Sequence, residues 1–356
     1  MQRQRKSDHI RINLEADVDA SGVSSGWERY RLPHCALPEL DLAAVDPATE
    51  LLGKRLALPL LISSMTGGTP EAWEINRRLA LGAEAAQVGL GLGSLRAALE
   101  DRSLAYTYQV RPLAPHVLLL ANLGAVQLNY GLGPDQCRRA VELVEADGLI
   151  LHLNPLQEAL QPEGQTHFSG LLARIEAVCR ALEVPVIVKE VGGGLSEQVA
   201  RQLAAAGVAA LDVAGAGGTS WSQVEMHRAR SAGQRAVAAA FAGWGIPSAE
   251  SLRLALRGAP GCPVIASGGI RTGLEMAIAL AMGAAACGVA RPFLRAAHES
   301  EEKVSELIGV LGAQLRTAMF AAGARDLAAL RRIPLAAAGE PVGTAQPSRA
   351  GWRGRW

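Results

Sequence analysis

Short apolar runs alternate with helix-like segments along most of this chain. Eight runs are almost continuously apolar, and they break into small or polar residues at their C-terminal ends; they span 58–66, 88–94, 117–124, 148–154, 185–191, 210–215, 263–269 and 285–291. Strands that are covered on both faces have this pattern. The steady alternation predicts βα units on a parallel sheet.

The number of runs distinguishes two architectures. A doubly wound open sheet contains strands of the same kind, so periodicity alone does not separate it from a closed barrel. Eight units favour a (β/α)8 TIM barrel. Active sites of this fold lie at the C-terminal ends of the strands. The polar residues that follow each run are therefore candidates for one site.

Three segments fall outside this rhythm. Residues 1–57 form an N-terminal extension whose basic arm, Arg5 to His9, is expected to fold over the mouth of a barrel spanning 58–335. The connection 216–247 is much longer than a usual βα loop of about 2–6 residues, which is typical of a lid or binding loop. The tail 336–356, rich in Pro, Gly, Ala and Arg, is expected to be disordered.

The charge composition limits the kinds of molecule that the protein can bind. The chain has 49% hydrophobic and 19% charged residues, as a globular protein does, and its 35 Lys and Arg against 34 Asp and Glu give a net charge of +1. No overall field is present to hold a nucleic acid or an acidic membrane surface, so any anion must be bound locally. The lysines are only Lys6, Lys54, Lys189 and Lys303.

The cysteines and the N-terminus predict a compartment. The five cysteines are odd in number and widely spaced, which argues against a disulfide framework or a zinc site. The N-terminus lacks the apolar core of a signal peptide, and no apolar run approaches the ~20 residues of a membrane span. A soluble cytoplasmic protein is expected.

A glycine-rich turn follows the seventh run. SGGIRTG (267–273) leads directly into a helix, a geometry in which backbone N–H groups and a helix N-terminus bind phosphate. Ala290 and Arg291, after the eighth run, would complete the cradle. The alternative interpretation is a simple tight turn.

Polar residues end the fourth and fifth runs. Lys189 follows a β-branched stretch and points towards the barrel mouth, where it would meet an anionic ligand or serve in proton or Schiff-base chemistry. Glu190, facing the opposite way, is expected to be structural. In HLNPLQEALQPEG (152–164), Glu158 could hold Mg²⁺ together with water and substrate oxygens. Polar capping of a helix N-terminus explains the same pattern equally well.

The remaining strand ends supply small and polar groups around one rim. They are SSMTGG (63–68), GSLR (93–96), ANLG (121–124) and GAGGTSW (215–221). Such a set suits a flat polar cofactor ring better than a catalytic triad.

These motifs in this order resemble the type 2, FMN-dependent isopentenyl-diphosphate Δ-isomerases. The resemblance covers about residues 5–335 and includes RKSDH, SSMTGG, GLGSLRAALED, ANLGA, HLNPLQEALQPEG, VIVKEVGGGLS, GAGGTSW, WGIPS and SGGIRTG. HLNPLQEALQPEG is its most specific part. The resemblance implies FMN, NADPH as reductant and Mg²⁺ as cofactors, a role in isoprenoid biosynthesis, and a homo-oligomer that is a tetramer or octamer.

The resemblance also implies residue roles. Flavin contacts would come from Ser64, Met65, Thr66, Ser94, Asn122, Lys189, Thr219, Gly268, Gly269, Ile270, Arg271, Ala290 and Arg291. The substrate diphosphate would be held by Arg5, Lys6, Ser94 and Arg96. The catalytic residues His152 and Gln157 would lie beside the isoprenyl carbons, where Gln157 also binds substrate, and Glu158 would bind the metal.

Three positions depart from the family pattern. Arg291 replaces a glycine of the phosphate cradle, Ala214 replaces a common serine, and Gly243 replaces a usual aspartate. The Arg291 side chain must either turn away or pair with the phosphate.

Two other functions fit parts of the sequence. An FMN-dependent 2-hydroxy-acid oxidoreductase would share the barrel and the lysine, but it needs a histidine base near the flavin, and His227 is the nearest candidate. A catalytically silent binder of flavin or prenyl phosphate would have no evident use for Gln157.

Overall fold

The computed structural model describes the backbone of residues 2–338 and the side chains of residues 6–338. Its strands are β1 (Tyr30–Arg31), β2 (Thr49–Leu51), β3 (Lys54–Leu56), β4 (Leu60–Ile62), β5 (Gly89–Gly91), β6 (Leu119–Gly124), β7 (Gly148–Leu153), β8 (Val186–Glu190), β9 (Ala210–Asp212), β10 (Val264–Ser267), β11 (Ala286–Val289) and β12 (Ala336–Ala337). Strands β4 to β11 pair in parallel and in sequence order, and β11 closes on β4. The predicted (β/α)8 barrel is confirmed, and each barrel strand lies within one of the eight apolar runs.

Helices alternate with these strands. They are α1 (Gln2–Glu15), α2 (Pro70–Ala86), α3 (Arg96–Glu100), α4 (Pro134–Val144), α5 (Pro155–Leu160), α6 (Leu171–Ala181), α7 (Glu197–Ala205), α8 (Trp221–Arg228), α9 (Ala232–Ala239), α10 (Ser248–Gly258), α11 (Gly273–Ala281), α12 (Arg291–Glu299), α13 (Glu301–Ala321) and α14 (Leu327–Leu330). Local sequence sets their ends. In α2, the Thr69 hydroxyl caps the helix by accepting from Ala72 N–H at 3.1 Å, and Pro70 occupies the first turn.

The interior of the barrel is filled with aliphatic side chains. Alternate strand positions point inward and form one buried cluster that includes Leu61, Leu120, Ile150, Ile187 and Ile265. The β2–β3 hairpin adds Leu51 and Leu56 to this cluster, and Lys54 lies 3.1 Å from Asp147, the residue just before β7. The hairpin therefore covers the N-terminal end of the barrel, and space for a ligand lies at the C-terminal end.

The extension and the long loop pack together over that C-terminal end. Ala20 N–H donates to Gly218 O at 2.8 Å, and Ser220 N–H donates to Val18 O at 2.7 Å. The connection 216–247 carries the helices α8 and α9. Its α8 contacts α1 through a small apolar cluster of Ile12, Val18 and Val224.

The described part of the chain continues past residue 335, where the barrel is predicted to end. Ala336–Ala337 forms β12, which pairs antiparallel with Tyr30–Arg31 of the extension. The start of the predicted tail is thus ordered by backbone pairing that its composition does not reveal, and residues 339–356 lie outside the described part. Among residues 2–338, no helix combines the length and apolar character needed to cross a bilayer.

Candidate active site

A cavity of about 670 Å³ opens at the C-terminal ends of the barrel strands. Its size falls within the roughly 300–1,000 Å³ typical of small-molecule sites. Of the residues predicted to form the site, the cavity wall contains Lys6, Ser64, Met65, Thr66, Ser94, Arg96, Asn122, His152, Gln157, Glu158, Lys189, Thr219, Gly268, Gly269, Ile270, Arg271, Ala290 and Arg291. The Arg5 side chain lies outside the described residues.

His152 lies at the end of β7, between two neighbouring strands. The ladder places it opposite Gly124 of β6 and Lys189 of β8. Its Nδ1 lies 2.9 Å from Asn122 Oδ1, and Asn122 is buried. This hydrogen bond fixes the orientation of the imidazole and favours the tautomer with a proton on Nδ1.

The turn from β7 into α5 aligns an amide and a carboxylate. Asn154 Nδ2 donates to Gln157 Oε1 at 3.1 Å and to Glu158 Oε1 at 2.9 Å, and Gln165 N–H donates to Glu158 Oε2 at 2.6 Å. Residues 6–338 contain no cluster of three or more His, Cys, Asp or Glu side chains suited to a metal. A metal here would rely on Glu158 together with water and ligand oxygens, as Mg²⁺ can.

Lys189 is the last but one residue of β8, and its side chain lines the cavity. Its Nζ donates to Glu190 O at 2.7 Å and lies 3.8 Å from the fully buried Asp212. Glu190 points away, as expected of a structural carboxylate, and accepts from the N–H groups of Val191, Gly192 and Gly193. Burial raises the pKa of Glu190 despite these donors.

Small residues and hydroxyl groups leave hydrogen-bonding capacity at the wall. Within residues 6–338, Ser63 Oγ and Ser64 Oγ are buried without a hydrogen-bond partner, and both serines line the cavity. A Cβ on Gly93 would lie 2.3 Å from Thr66 O, so glycine lets the β5 loop approach the β4 loop closely. The wall thus offers donors and acceptors that a polar ring could satisfy.

The glycine-rich turn after β10 differs from the expected cradle at Arg271. Gly268 adopts φ +98°, and a Cβ there would lie 2.3 Å from Gly215 O. Glu275 accepts from the N–H groups of Arg271 at 2.7 Å and Thr272 at 2.9 Å, and Arg271 Nη2 pairs with Asp19 at 2.5 Å. Both the amide and the guanidinium of Arg271 therefore have protein partners. A phosphate would rely on the turn preceding Arg271 and on the start of α12.

The structure shows the surroundings of the three positions that depart from the family pattern. The Arg291 side chain turns away from the turn and binds α1, donating to Asn13 O at 3.0 Å and Ala16 O at 2.7 Å. A Cβ on Gly243 would lie 2.6 Å from Ser21 O, so the packed extension leaves no room for an aspartate. Ala214 adopts φ +35°, and its N–H donates to Ser267 Oγ at 3.1 Å.

Glu225 on α8 is a central residue that the sequence did not reveal. Its Oε1 lies 3.2 Å from His9 Nε2 and accepts from Gln161 at 2.8 Å and Gln157 at 3.4 Å, while Oε2 accepts from Arg228 at 2.5 Å. Burial alone would raise the pKa of Glu225, but His9 and Arg228 outweigh it and hold that pKa below its usual range. No local motif marks this carboxylate, because most of its partners lie on two other segments, α1 and the end of α5.

Lys6 reaches the opposite rim from α1. Its Nζ donates to Ser94 O at 3.1 Å and to the hydroxyl of Tyr108 at 2.5 Å, and that buried hydroxyl in turn donates to Ser94 O at 2.9 Å. Arg96 nearby donates to Glu100 at 2.7 Å and to Gln165 at 3.0 Å. Two cations thus line one side of the cavity mouth.

Comparisons with known proteins agree with this geometry. A family model described as FMN-dependent dehydrogenase matches residues 154–336. An isopentenyl-diphosphate delta-isomerase of Synechococcus sp. is 55% identical over 329 residues, covering 92% of this chain and 94% of its own. Those of Synechocystis sp. and Rickettsia bellii are 54% and 50% identical, with 93% of this chain covered in each case and 95% and 96% of their own. The chain belongs to the isopentenyl-diphosphate delta-isomerase family.

Solved structures extend the likeness at the level of the fold. A mandelate oxidase mutant with a monooxide FMN adduct has a TM-score of 0.63 at 21% identity, covering 93% of this chain and 92% of its own. A second mandelate oxidase structure has a TM-score of 0.65 at 20% identity, covering 94% and 98%. These structures share the barrel. The match to the FMN-dependent dehydrogenase model and the high identity to the isomerases confirm the predicted family and its FMN-dependent type.

The residues of this isomerase family member fit a flavin. The cavity has sufficient volume, its wall holds the unpartnered Ser64 hydroxyl, and a lysine is available to an anionic ring edge. His227, the histidine considered for a 2-hydroxy-acid oxidoreductase, is exposed on α8 outside the cavity wall.

Proposed function

We propose that the protein interconverts isopentenyl diphosphate and dimethylallyl diphosphate in isoprenoid biosynthesis, with FMN and Mg²⁺ bound at the barrel mouth. The observation that carries the proposal is the β7–α5 turn. It brings His152, Gln157 and Glu158 to a cavity that Lys6 and Lys189 also line. The names of relatives at 50–55% identity support the same activity.

The reaction moves a double bond without net oxidation. A proton is gained at C4 and another is lost at C2, and protonating an unactivated alkene requires an acid held in a site shielded from water. Reduced FMN supplies acid–base chemistry from its N5 region when bound, and NADPH is the proposed reductant.

The protein residues hold the reacting groups in place. Lys6 and Arg96 bind the substrate diphosphate together with Arg5 and Ser94, and Glu158 binds the Mg²⁺ that neutralises it. Ser64, Met65, Thr66, Asn122 and Thr219 contact the flavin, and Lys189 stabilises its anionic reduced form.

Two side chains act beside the isoprenyl carbons. Asn122 orients His152, and Glu225 and Asn154 hold the Gln157 amide from opposite ends. Gln157 is neutral and a poor acid, so we assign it orientation of the substrate or relay of the C2 proton.

The phosphate of the flavin is assigned to the turn and helix start at the other end of the cavity. Gly268, Gly269 and Ile270 contribute the turn after β10, and Ala290 and Arg291 contribute backbone N–H groups at the start of α12. The Arg271 side chain pairs with Asp19 of the extension beside this turn.

The cellular setting is part of the same proposal. Among residues 6–338, all five cysteines are free thiols, which supports a reducing cytoplasm. We also propose a homo-oligomer, a tetramer or octamer, on the basis of the resemblance to the isomerase family.

The decisive experiment is an isomerase assay with FMN, a reductant and Mg²⁺. We expect conversion of isopentenyl diphosphate by the reduced holoenzyme and none by the colourless apoprotein. Conversion without FMN would refute the flavin role. Reduction of the flavin by lactate or glycolate in stopped flow would instead favour a 2-hydroxy-acid oxidoreductase.

A further inference from the structure

Helix α1 needs external contacts to stay at the cavity mouth. It has 14 residues, and isolated helices of up to about 12–15 residues are marginal in water. Its last turn contains no basic residue of its own. The C-terminal carbonyls of the helix are therefore open to a cation from elsewhere in the chain.

Arg291 supplies that cation from the first position of α12. Its Nε donates to Asn13 O at 3.0 Å, its Nη2 to Ala16 O at 2.7 Å, and its Nη1 to Asp19 at 2.8 Å. The side chain is only 13% exposed. A partly buried guanidinium with three partners on one segment holds that segment more firmly than a surface ion pair does.

The preceding turns of α1 carry groups that face the cavity. Lys6 contacts Ser94 and Tyr108, and His9 lies against Glu225 and packs edge-on against Trp221 with ring centroids 5.0 Å apart. We propose that Arg291 is a positioning residue that clamps the C-terminal end of α1 and thereby holds Lys6 and His9 at the cavity mouth. The Arg291 side chain thus supports the proposed substrate site, whereas its backbone N–H lies at the proposed flavin phosphate site.

The link to substrate rests on the proposed function, but the clamp itself is testable without turnover. Hydrogen–deuterium exchange of residues 2–15 is compared between the holoenzyme, Arg291→Ala and Arg291→Lys. We expect exchange in Arg291→Ala to rise by about tenfold or more, the equivalent of one hydrogen bond to a charged group, with a smaller rise in Arg291→Lys. Unchanged exchange in Arg291→Ala would overturn the proposal.

Arg111 provides a matched control at the opposite end of the barrel. Its side chain is also 13% exposed, and it donates to the carbonyls of Ala114 and Glu145 while pairing with Asp147 at 2.8 Å. Arg111→Ala therefore removes an arginine of the same kind away from α1. An equal rise in exchange of residues 2–15 in this variant would assign the effect to general destabilisation and refute the clamp.

Ligand binding separates the clamp from a direct phosphate contact. We expect Arg291→Ala to raise both the Kd of inorganic pyrophosphate with Mg²⁺ and the KM for isopentenyl diphosphate by about tenfold, the size of one charge-assisted hydrogen bond. The Kd of FMN and kcat should change little. A rise in the Kd of FMN as large as that for pyrophosphate would show that the side chain serves the flavin phosphate, and would overturn the proposal. Absence of isomerisation in the unsubstituted enzyme would refute the proposed function and leave the exchange result to decide the clamp.

Discussion

Lys189 Nζ lies 3.8 Å from Asp212 Oδ2 across the β8–β9 ladder, and Asp212 is completely buried. At this separation the two groups form an ion pair without a hydrogen bond. Asp212 Oδ1 accepts instead from Ser267 Oγ. The lysine therefore has a counter-charge behind it and an open side towards the cavity, which is the arrangement needed to meet an anionic ligand.

The first prediction concerns this buried pair. Asp212→Ala leaves the Lys189 charge without its partner and should lower the free energy of unfolding by about 3–5 kcal/mol. Urea denaturation of the apoprotein measures the change. Lys189→Met added to Asp212→Ala should restore part of the lost stability, whereas strictly additive losses would contradict the coupling.

The second prediction concerns the contact between Lys6 and Tyr108. Tyr108→Phe keeps the buried ring but removes the hydroxyl, so KM for isopentenyl diphosphate should rise about two- to tenfold, the size of one hydrogen bond, with kcat nearly constant. Steady-state kinetics provides the measurement. Tyr106→Phe, on an exposed ring two residues earlier, is the control and should leave KM unchanged.

The third prediction concerns the metal. Glu158→Gln keeps the size of the side chain and removes its charge, so the Mg²⁺ concentration for half-maximal activity should rise by about 10- to 100-fold. A titration of activity against Mg²⁺ tests this, with exposed Glu71→Gln as control. An unaltered Mg²⁺ requirement in Glu158→Gln would remove Glu158 from the metal site.

The fourth prediction is a pH dependence. Because the pKa of Glu225 is lower in the folded protein, its ionised form stabilises the fold above the ordinary value of 4.5, and this contribution is lost as pH falls through the lowered pKa. Glu225→Gln should lower stability by about 1–3 kcal/mol at pH 7 and flatten the loss of stability below pH 4.5. Thermal unfolding from pH 3 to 7 measures both effects. An acid slope as steep as that of the unsubstituted protein would contradict the assignment.

The strands and the strand-end residues could be predicted because one physical rule governs both. Parallel strands buried on two faces need apolar runs, and their C-terminal ends meet at one rim, so Ser64, Asn122, His152 and Lys189 converge without further information. The orientation of Glu190 likewise follows from strand alternation.

Contacts made between distant segments were not predictable from pattern. Glu225 looks like an ordinary helix carboxylate until α8 is placed beside α1 and α5. The direction of the Arg291 side chain depends on where Asn13 and Ala16 lie in space.

The β2–β3 hairpin at the floor of the barrel limits the side from which ligands can enter. Since Leu51 and Leu56 fill the bottom of the interior, a ligand reaches the strand ends only from above, past α1 and the 216–247 connection. Where two ligands share such a cavity, the deeper one enters before the other and leaves after it. With FMN in the barrel and the substrate diphosphate at the rim formed by Lys6 and Arg96, as proposed above, the flavin would exchange only while the substrate site is empty.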